Sequence, residues 1–268
     1  MLVSVLASGS EGNSTYINIG GKHVLIDLGM NNKYITSKLT ELNVHPSQID
    51  YVFITHTHSD HTGAMKVFFK QNTPMVFVDE KMMVELPFLE NYPNLCFDSG
   101  VMEFGSFTVE PFRTSHDAPG SRGYIFREDD KSFVYVTDTG YINHKLFDKL
   151  SNHDLYVFES NHDVEMLMHG SYPPWLKKRI RGDEGHLSNN QCGFYLSKLI
   201  GPKTKEIALA HLSKENNSEA LAMDTVMNEL ISNDVEFNNI VIAKQKERTD
   251  LIKLWLKLYV LEKLKKTI

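Results

Sequence analysis

Cysteine is scarce in this chain. Cys96 and Cys192 are the only two in 268 residues, and neither sits in a C-x-x-C. A disulfide framework is thereby excluded, and a reducing cytoplasm is the expected compartment. A long apolar run is missing as well. The opening segment, Met1 to Ser10, is apolar but has no basic region and is too short for a membrane span, so it reads as a first strand. Nor is positive charge in excess. The net charge is −6 with histidine neutral, which excludes a general basic coat for nucleic acid. A polyanionic substrate would have to be held by a local basic strip or by metal ions. Internal repeats and low-complexity linkers are also absent, which removes solenoids and tethered modules from consideration.

What remains is an ordinary globular composition, 41 % apolar and 23 % charged. The length allows one large α/β domain or two small ones with a sizeable core. The first half reads as short strands with glycine-rich turns. Residues 2–7 are strand-like. Residues 15–19 and 23–26 form a hairpin around Gly20 and Gly21. Residues 33–42 and 63–70 are helical, and 51–55 and 75–78 are strands. Further strands are expected over 107–112, 123–126, 133–136 and 155–158. The second half brings amphipathic helices over 189–199, with Ser188 or Asn189 as N-cap, and over 219–231. Short apolar strands are expected over 207–210 and 239–243. Strand clusters mixed with helices in two similar halves predict a single-domain α/β (α+β) fold of two sheets face to face with helices outside, an αββα sandwich over residues 1–248. The Leu- and Lys-rich tail, 249–268, is expected to be a terminal helix.

The chemistry concentrates in His56-Thr57-His58-Ser59-Asp60-His61, directly after an apolar strand. Divalent metals want imidazole and carboxylate ligands in fixed geometry with one position open to water. Residues two apart in a strand-end turn can point the same way, so His56 and His58 could share one ion, with Asp60 and His61 placed to serve a second. Four ligand-type residues in six positions are hard to reconcile with a solvated turn.

T-H-x-H-x-D-H resembles the signature of the metallo-β-lactamase superfamily, and further parts of that pattern follow in order. His116 in Thr114-Ser115-His116-Asp117 matches a third ligand of the first metal. Asp138 in Thr137-Asp138-Thr139-Gly140 matches a bridging carboxylate, and His211 in Ala210-His211-Leu212-Ser213 a last ligand of the second metal. Asp27 and Gly29 match the D-x-G element that braces the metal loop. The resemblance implies His56, His58 and His116 on one ion, and Asp60, His61 and His211 on another. Asp138 and a hydroxide would bridge them, the hydroxide attacking phosphorus while Asp60 accepts its proton. Zinc, manganese or iron would suit these ligands. Histidine at position 58 differs from the oxygen-reducing di-iron branch, which has Glu there. Asp138 differs from the two-zinc β-lactamases, which usually have Cys.

Ser8-Gly9-Ser10-x-Gly12-Asn13-Ser14, Glu159-Ser160-Asn161-His162-Asp163, Gly185-His186-Leu187-Ser188-Asn189 and His211-Leu212-Ser213-Lys214 together closely resemble the YycJ (WalJ, VicX) family of bacterial proteins. That resemblance implies a 5′→3′ exonuclease acting on DNA. His186 resembles the acid histidine of tRNA-3′-processing enzymes, with Glu159 orienting it or His162. The family's genes sit beside a cell-wall two-component system, so a regulatory protein partner is a second reading. A small-molecule or thioester hydrolase of the same fold is a third. Four cations within five positions, Lys177, Lys178, Arg179 and Arg181, could grip a phosphate backbone, with Trp175 or Tyr172 as a stacking surface. Ser8, Asn13 and Ser14 could bind phosphate through hydroxyl, amide and backbone N–H groups.

Overall fold

In the computed structural model, which describes residues 1–254, β1 (Leu2–Ala7) pairs antiparallel with β2 (Ser14–Ile19), and β2 with β3 (Lys22–Ile26). The hairpin turns on Gly20 and Gly21, both at positive φ (58° and 73°). That primed geometry matches the right-handed twist of the strands it joins and is open to glycine at little cost. The chain then crosses through α1 (Asn32–Glu41) to β4 (Ile49–Phe53), and through α2 (Ser59–Thr62) and α3 (Met65–Gln71) to β5 (Met75–Val78) and β6 (Leu95–Phe97), all parallel to β3. The second sheet starts as an antiparallel meander, β7 (Met102–Glu103), β8 (Phe107–Arg113), β9 (Arg122–Glu128) and β10 (Lys131–Val136). The parallel strands β11 (Leu155–Glu159), β12 (Glu206–Ala210) and β13 (Ile240–Ile242) extend it. Their crossovers carry α4 (Phe147–Leu150), α5 (Val164–His169), α6 (Pro174–Ile180), α7 (Asn189–Leu199) and α8 (Glu219–Ser232). β14 (Ile252–Lys253) returns to β1, so each sheet has seven strands.

Three apolar layers follow from the sequence periodicity. Val3, Ile17, Phe53, Tyr124, Phe133 and Val157 belong to the core between the sheets. Leu25, Val52 and Val76 on the first sheet pack with Ile35, Leu39 and Phe68 of α1 and α3. Val134, Tyr156 and Leu209 on the second pack with Leu196 and Leu199 of α7 and Val226 of α8. Central strands β10 and β11 are buried at every residue, as parallel strands covered on both faces must be. Ser188 caps α7: its hydroxyl accepts from the Gln191 amide (3.2 Å), and the Gln191 side chain accepts from the Ser188 amide (2.9 Å).

The expected αββα architecture is therefore what the chain forms, with adjustments. The strand expected over 51–55 ends at Phe53, which leaves Ile54 and Thr55 in the ligand loop. The helix expected over 63–70 begins at Met65 as α3, and a separate single turn, α2, precedes it over the ligand run. β6 and β7 are edge strands of three and two residues, too short to show periodicity. The terminal helix is corrected at its start. Thr249 joins the sheet, its amide donating to Val5 O (2.9 Å) and its hydroxyl accepting from the Val5 amide (3.0 Å). Ile252 and Lys253 then pair with Val3 and Leu2. The rest of that expected helix lies outside the described residues. No helix among the described residues is long and apolar enough to cross a membrane.

β1, β3 and β4 run in one direction within the first sheet, and β8, β10, β11 and β12 share a direction in the second. Every ligand-bearing segment leaves the C-terminal end of one of these strands. At the opposite end of the second sheet, the carboxylate of Asp154 is fully buried. It accepts from the Ser132 amide (2.9 Å) and pairs with Lys205 (2.9 Å) and Lys203 (3.1 Å). Burial alone would raise its pKa, but the lysine hydrogen bonds outweigh burial and hold it below the ordinary value. A carboxyl depressed in this way stabilises the fold above its unfolded pKa, near ~3.9, and that contribution is lost as pH falls through the lower folded value. Asp154→Asn is expected to cost about 1–3 kcal/mol at neutral pH and to flatten the acid limb of a denaturation profile. An acid limb identical to that of the unmodified chain would refute this role.

Candidate metal centre

Three site residues, Asp27, Asp138 and His211, have left-handed backbone (φ 60°, 57° and 57°) just beyond the ends of β3, β10 and β12. For residues other than glycine this conformation costs on the order of 1–2 kcal/mol, and it marks sites where the surrounding structure holds side chains in place. Gly29 is the close-approach glycine of the D-x-G element. A Cβ there would lie 1.9 Å from Asp60 O and 2.3 Å from Asn13 N. Backbone bonds from Asn13 N to Asp60 O (2.7 Å) and from Leu28 N to His61 O (2.8 Å) lock that element onto the histidine run.

The structure brings His56, His58, Asp60, His61, His116, Asp138 and His211 together. One ligand nitrogen from each of His56, His58 and His116 lies within 4.8 Å of the others, and one atom from each of His56, Asp60 and His61 forms a second such group. His58 Nδ1 and His116 Nε2 are 3.3 Å apart. Two imidazole nitrogens bound tetrahedrally at ~2.0–2.1 Å would stand about 3.3–3.4 Å apart. Asp138 lies centrally, with oxygens 3.2 Å from His61 Nε2, 3.7 Å from His116 Nε2 and 3.6 Å from His211 Nε2.

The far nitrogen of each main ligand candidate is already engaged. His61 Nδ1 faces Asp27 (2.7 Å), His211 Nδ1 faces Glu159 (2.9 Å), His116 Nδ1 meets Gly185 O (3.2 Å) and His56 Nδ1 meets Thr55 Oγ1 (3.1 Å). Such partners fix tautomer and ring orientation, leaving the inner nitrogen as a lone pair. Asp27 is itself held by the Thr55 amide and hydroxyl, both at 2.8 Å. His56 Nε2, Asp138 Oδ2 and His211 Nε2 are buried without a hydrogen-bond partner. Buried polar atoms are rarely orphaned, and these three point into the cluster where a divalent cation would satisfy all of them. The donor set thus fits a metal.

The electrostatics agree. Burial and neighbouring His61 push the His56 pKa well below its ordinary value. Burial works against charge on His211 too, but Asp138, Asp60 and Glu159 overcome it and raise its pKa to about 10. Burial would raise Asp138, yet His211, His61 and His56 hold it well below the carboxylate range. Acids facing imidazoles in a largely buried cluster form a field that protons or a divalent cation can neutralise.

Glu159 and His186 complete the cluster. Glu159 Oε1 accepts from His186 Nδ1 (2.8 Å) as well as His211, and Oε2 accepts from the amides of Thr139 (3.0 Å) and Leu187 (3.1 Å). Burial raises the Glu159 pKa, but His186 foremost lowers it, to about 2. Its partners are His186 and His211, not His162. The cleft above the cluster has a volume near 240 Å³ and is lined by Ser10, Tyr172, Arg179, His186 and Ser213 among others.

Several expected substrate contacts are corrected. Ser8 accepts from the His211 amide (2.6 Å), Ser14 donates to Asp27 O (2.9 Å), and Asn13 bonds Gly9 and contacts His61 Nε2 (2.9 Å). All three are buried and brace the ligand loops; Ser10 lines the cleft instead. Of the basic strip only Arg179 lines the cleft, while Lys177, Lys178 and Arg181 line a neighbouring hollow. Tyr172 faces the cleft and Trp175 does not. Sequence reasoning assigned no role to Asp117, which pairs with Arg179 (2.5 and 3.0 Å), or to Asn161, whose amide donates to His211 O (2.9 Å). Each stands in a motif within two residues of an assigned position, which was the signal available.

A cation-ready cluster at the C-terminal edge of an αββα sandwich defines the class. Residues 22–207 match the Beta-lactamase superfamily domain. The Zn(2+)-bound PqqB from Methylobacterium extorquens shares the fold at TM-score 0.71 and 12 % identity, over 93 % of this chain and 100 % of that one. The chain is 41 % identical to exodeoxyribonuclease WalJ of Streptococcus pneumoniae over 239 residues, 87 % of this chain and 89 % of that one. It is 36 % identical to exodeoxyribonuclease YycJ of Bacillus anthracis over 228 residues, 83 % and 86 % of the two. The chain belongs to the WalJ/YycJ family within the β-lactamase superfamily.

Removing a partner behind the ligands should loosen the metal. Asp27→Asn is expected to lower divalent-metal affinity about 10–100-fold, measured by competition against a chelator. Unaltered affinity would mean that Asp27 supports the loop and not the ion.

Proposed function

We propose that the chain is a metal-dependent phosphodiesterase that removes nucleotides from the 5′ ends of DNA. The observation that carries this reading is that Asp138 Oδ2 and His211 Nε2 lie buried without a hydrogen-bond partner at one small cleft, with His56 Nε2, likewise without one, in the cluster beside it. The exodeoxyribonuclease names of the WalJ and YycJ relatives support a DNA substrate. The 5′ polarity follows the motif resemblance. Free Cys96 and Cys192 suit a cytoplasmic setting, where trimming of DNA ends serves repair.

His56, His58 and His116 would hold one divalent ion, and Asp60, His61 and His211 a second, with Asp138 as a further carboxylate ligand. Zinc, manganese or iron suits this nitrogen and oxygen set. Divalent ions held there neutralise charge on a phosphoryl group and make water a competent nucleophile at neutral pH. Asp60 is the less buried of the two central acids and lines the cleft, 3.6 Å from both His61 Nε2 and His211 Nε2; it accepts the proton of the attacking water. His186 also lines the cleft. Its Nδ1 is committed to Glu159, which leaves Nε2 to protonate the departing sugar oxygen, while the buried Glu159 carboxylate orients the ring.

Linear duplex DNA labelled at either end separates this reading from its rivals. With Mn²⁺ or Zn²⁺, shortening from the 5′ end is expected, with a circular control spared and no shortening by His58→Ala. Full activity in His58→Ala would sink the assignment. His186→Ala is expected to slow DNA hydrolysis by ~10²–10⁴-fold with metal content unchanged. A p-nitrophenyl phosphodiester, whose leaving group needs no proton, should be slowed far less. Equal losses on both substrates would remove His186 from the acid role.

A further inference from the structure

The four cations around α6 do not act as one strip, because a helix of this pitch turns adjacent residues about 100° apart. Arg179 faces the metal cleft, its guanidinium held by both oxygens of Asp117. Lys178 and the C-cap residue Arg181 stand three apart and so share a different side. Together with Lys177, Met168, Pro174 and Gly182 they line a hollow of about 590 Å³ that contains no acid. Lys177 is committed locally: its ammonium donates to Met168 O (2.8 Å) and Gly170 O (2.7 Å), closing the turn after α5. Lys178 and Arg181 are exposed and form no ion pair among the described residues; the Arg181 guanidinium donates to the Met168 sulfur (3.1 Å). Lys178 also borders a second hollow, where Trp175, 66 % exposed, Arg179 and Gly182 stand with Asp117, Asp183 and Glu184. Of those acids Asp117 is paired with Arg179. In a chain of net charge −6, a hollow lined by three cations and no acid beside the catalytic cleft is a directional feature.

We propose that this hollow is a second phosphate subsite, in which Lys178 and Arg181 hold the backbone of a DNA single strand whose end lies in the metal cleft. The inference rests on the phosphodiesterase reading above and adds the path of the strand. Arg179 lines the cleft, and Lys178, its neighbour in the chain, lines the hollow. The strand passes from the cleft over α6 to Lys178 and Arg181. The span is about one helix diameter, ~10 Å, or roughly three steps of a strand rising ~3.4 Å each. The Met168 and Pro174 surfaces give the hollow an apolar floor for a base, while the two cations contact the phosphates.

The test compares the unmodified chain with the double variant Lys178→Ala, Arg181→Ala, both sites being exposed and outside the catalytic machinery. Fluorescent single-stranded oligonucleotides of two to twelve nucleotides serve as probes for anisotropy across a salt series. Hydrolysis of bis-(p-nitrophenyl) phosphate is followed in parallel. The unmodified chain should gain affinity once the oligonucleotide exceeds about three or four nucleotides, and the variant should not. The variant's log Kd against log salt should be shallower by about 1.4, ~0.7 for each lost single-strand phosphate contact. A fourfold rise in salt would then weaken the unmodified chain roughly sevenfold more than the variant. Diester hydrolysis should be equal in the two. Equal salt slopes and equal length dependence would overturn the subsite with the diester assay still intact. Absence of diester and DNA hydrolysis in the unmodified chain would instead overturn the reading beneath it.

Discussion

Asp138 is a carboxylate 2 % exposed where the edges of two sheets meet, and the rest of the site is arranged around it. An isolated buried carboxylate is costly unless it is paired. Here it is surrounded by His61, His116 and His211 within 3.2–3.7 Å. Those imidazoles are in turn oriented by further buried groups, Asp27, Gly185 O and Glu159. A concentration of charge this far from water is tolerable only with a cation or protons among the acids. The apolar layers on both sides offset its cost for the fold as a whole.

The sequence displayed one part of this arrangement and concealed another. The run from His56 to His61 was legible because contiguous residues cannot be far apart, and four ligand types crowded behind a strand end suit little besides a metal loop. His116, Asp138 and His211 were legible through motif order, not through any local physical signal. The strands over 133–136 and 155–158 stood out because parallel or central strands need unbroken apolar runs, and 2–7 because only Ser4 interrupts its apolar residues. β6, β7 and β14 did not, because two or three residues carry no period. The facing of polar side chains was also hidden. Ser8, Asn13 and Ser14 look like a solvated loop in one dimension, yet the loop folds inward against Gly29 and His211. The basic strip failed as a unit for the same reason: four neighbouring cations on a helix end point to different places.

Glu159 joins two functions in one side chain. Its Oε1 meets both His211, a ligand candidate, and His186, the proposed acid, while Oε2 is pinned by two backbone amides. A carboxylate fixed by backbone cannot swing toward either imidazole alone. The position of the acid is thereby tied to that of the ligand cluster, so a shift of β12 relative to β11 would disturb both together. The parallel pairing of Glu159 with Ala210, the residue before His211, sets that relation.

The candidate ligands are divided between the sheets: His56, His58, Asp60 and His61 come from the first, and His116, Asp138 and His211 from the second. Neither sheet alone assembles the site, so a metal that bridges the groups recognises only the docked sandwich. A ligand that binds the native state and not the unfolded chain stabilises the former by RT ln(1 + L/Kd), which grows with the free ligand concentration L. Polar bonds prepare the docking without it. Ser8 accepts from the His211 amide (2.6 Å), Tyr124 donates to Ile54 O (2.7 Å) and the Arg122 amide donates to Thr55 O (3.0 Å), each joining one sheet or its loops to the other beside the cluster. The histidines therefore face one another before any ion arrives. The three left-handed residues at the strand ends are held by the same framework, since relaxing any one of them would turn a candidate ligand or its support out of the cleft. Strain, burial and charge are concentrated along one seam, where the two sheets give the chain its chemistry.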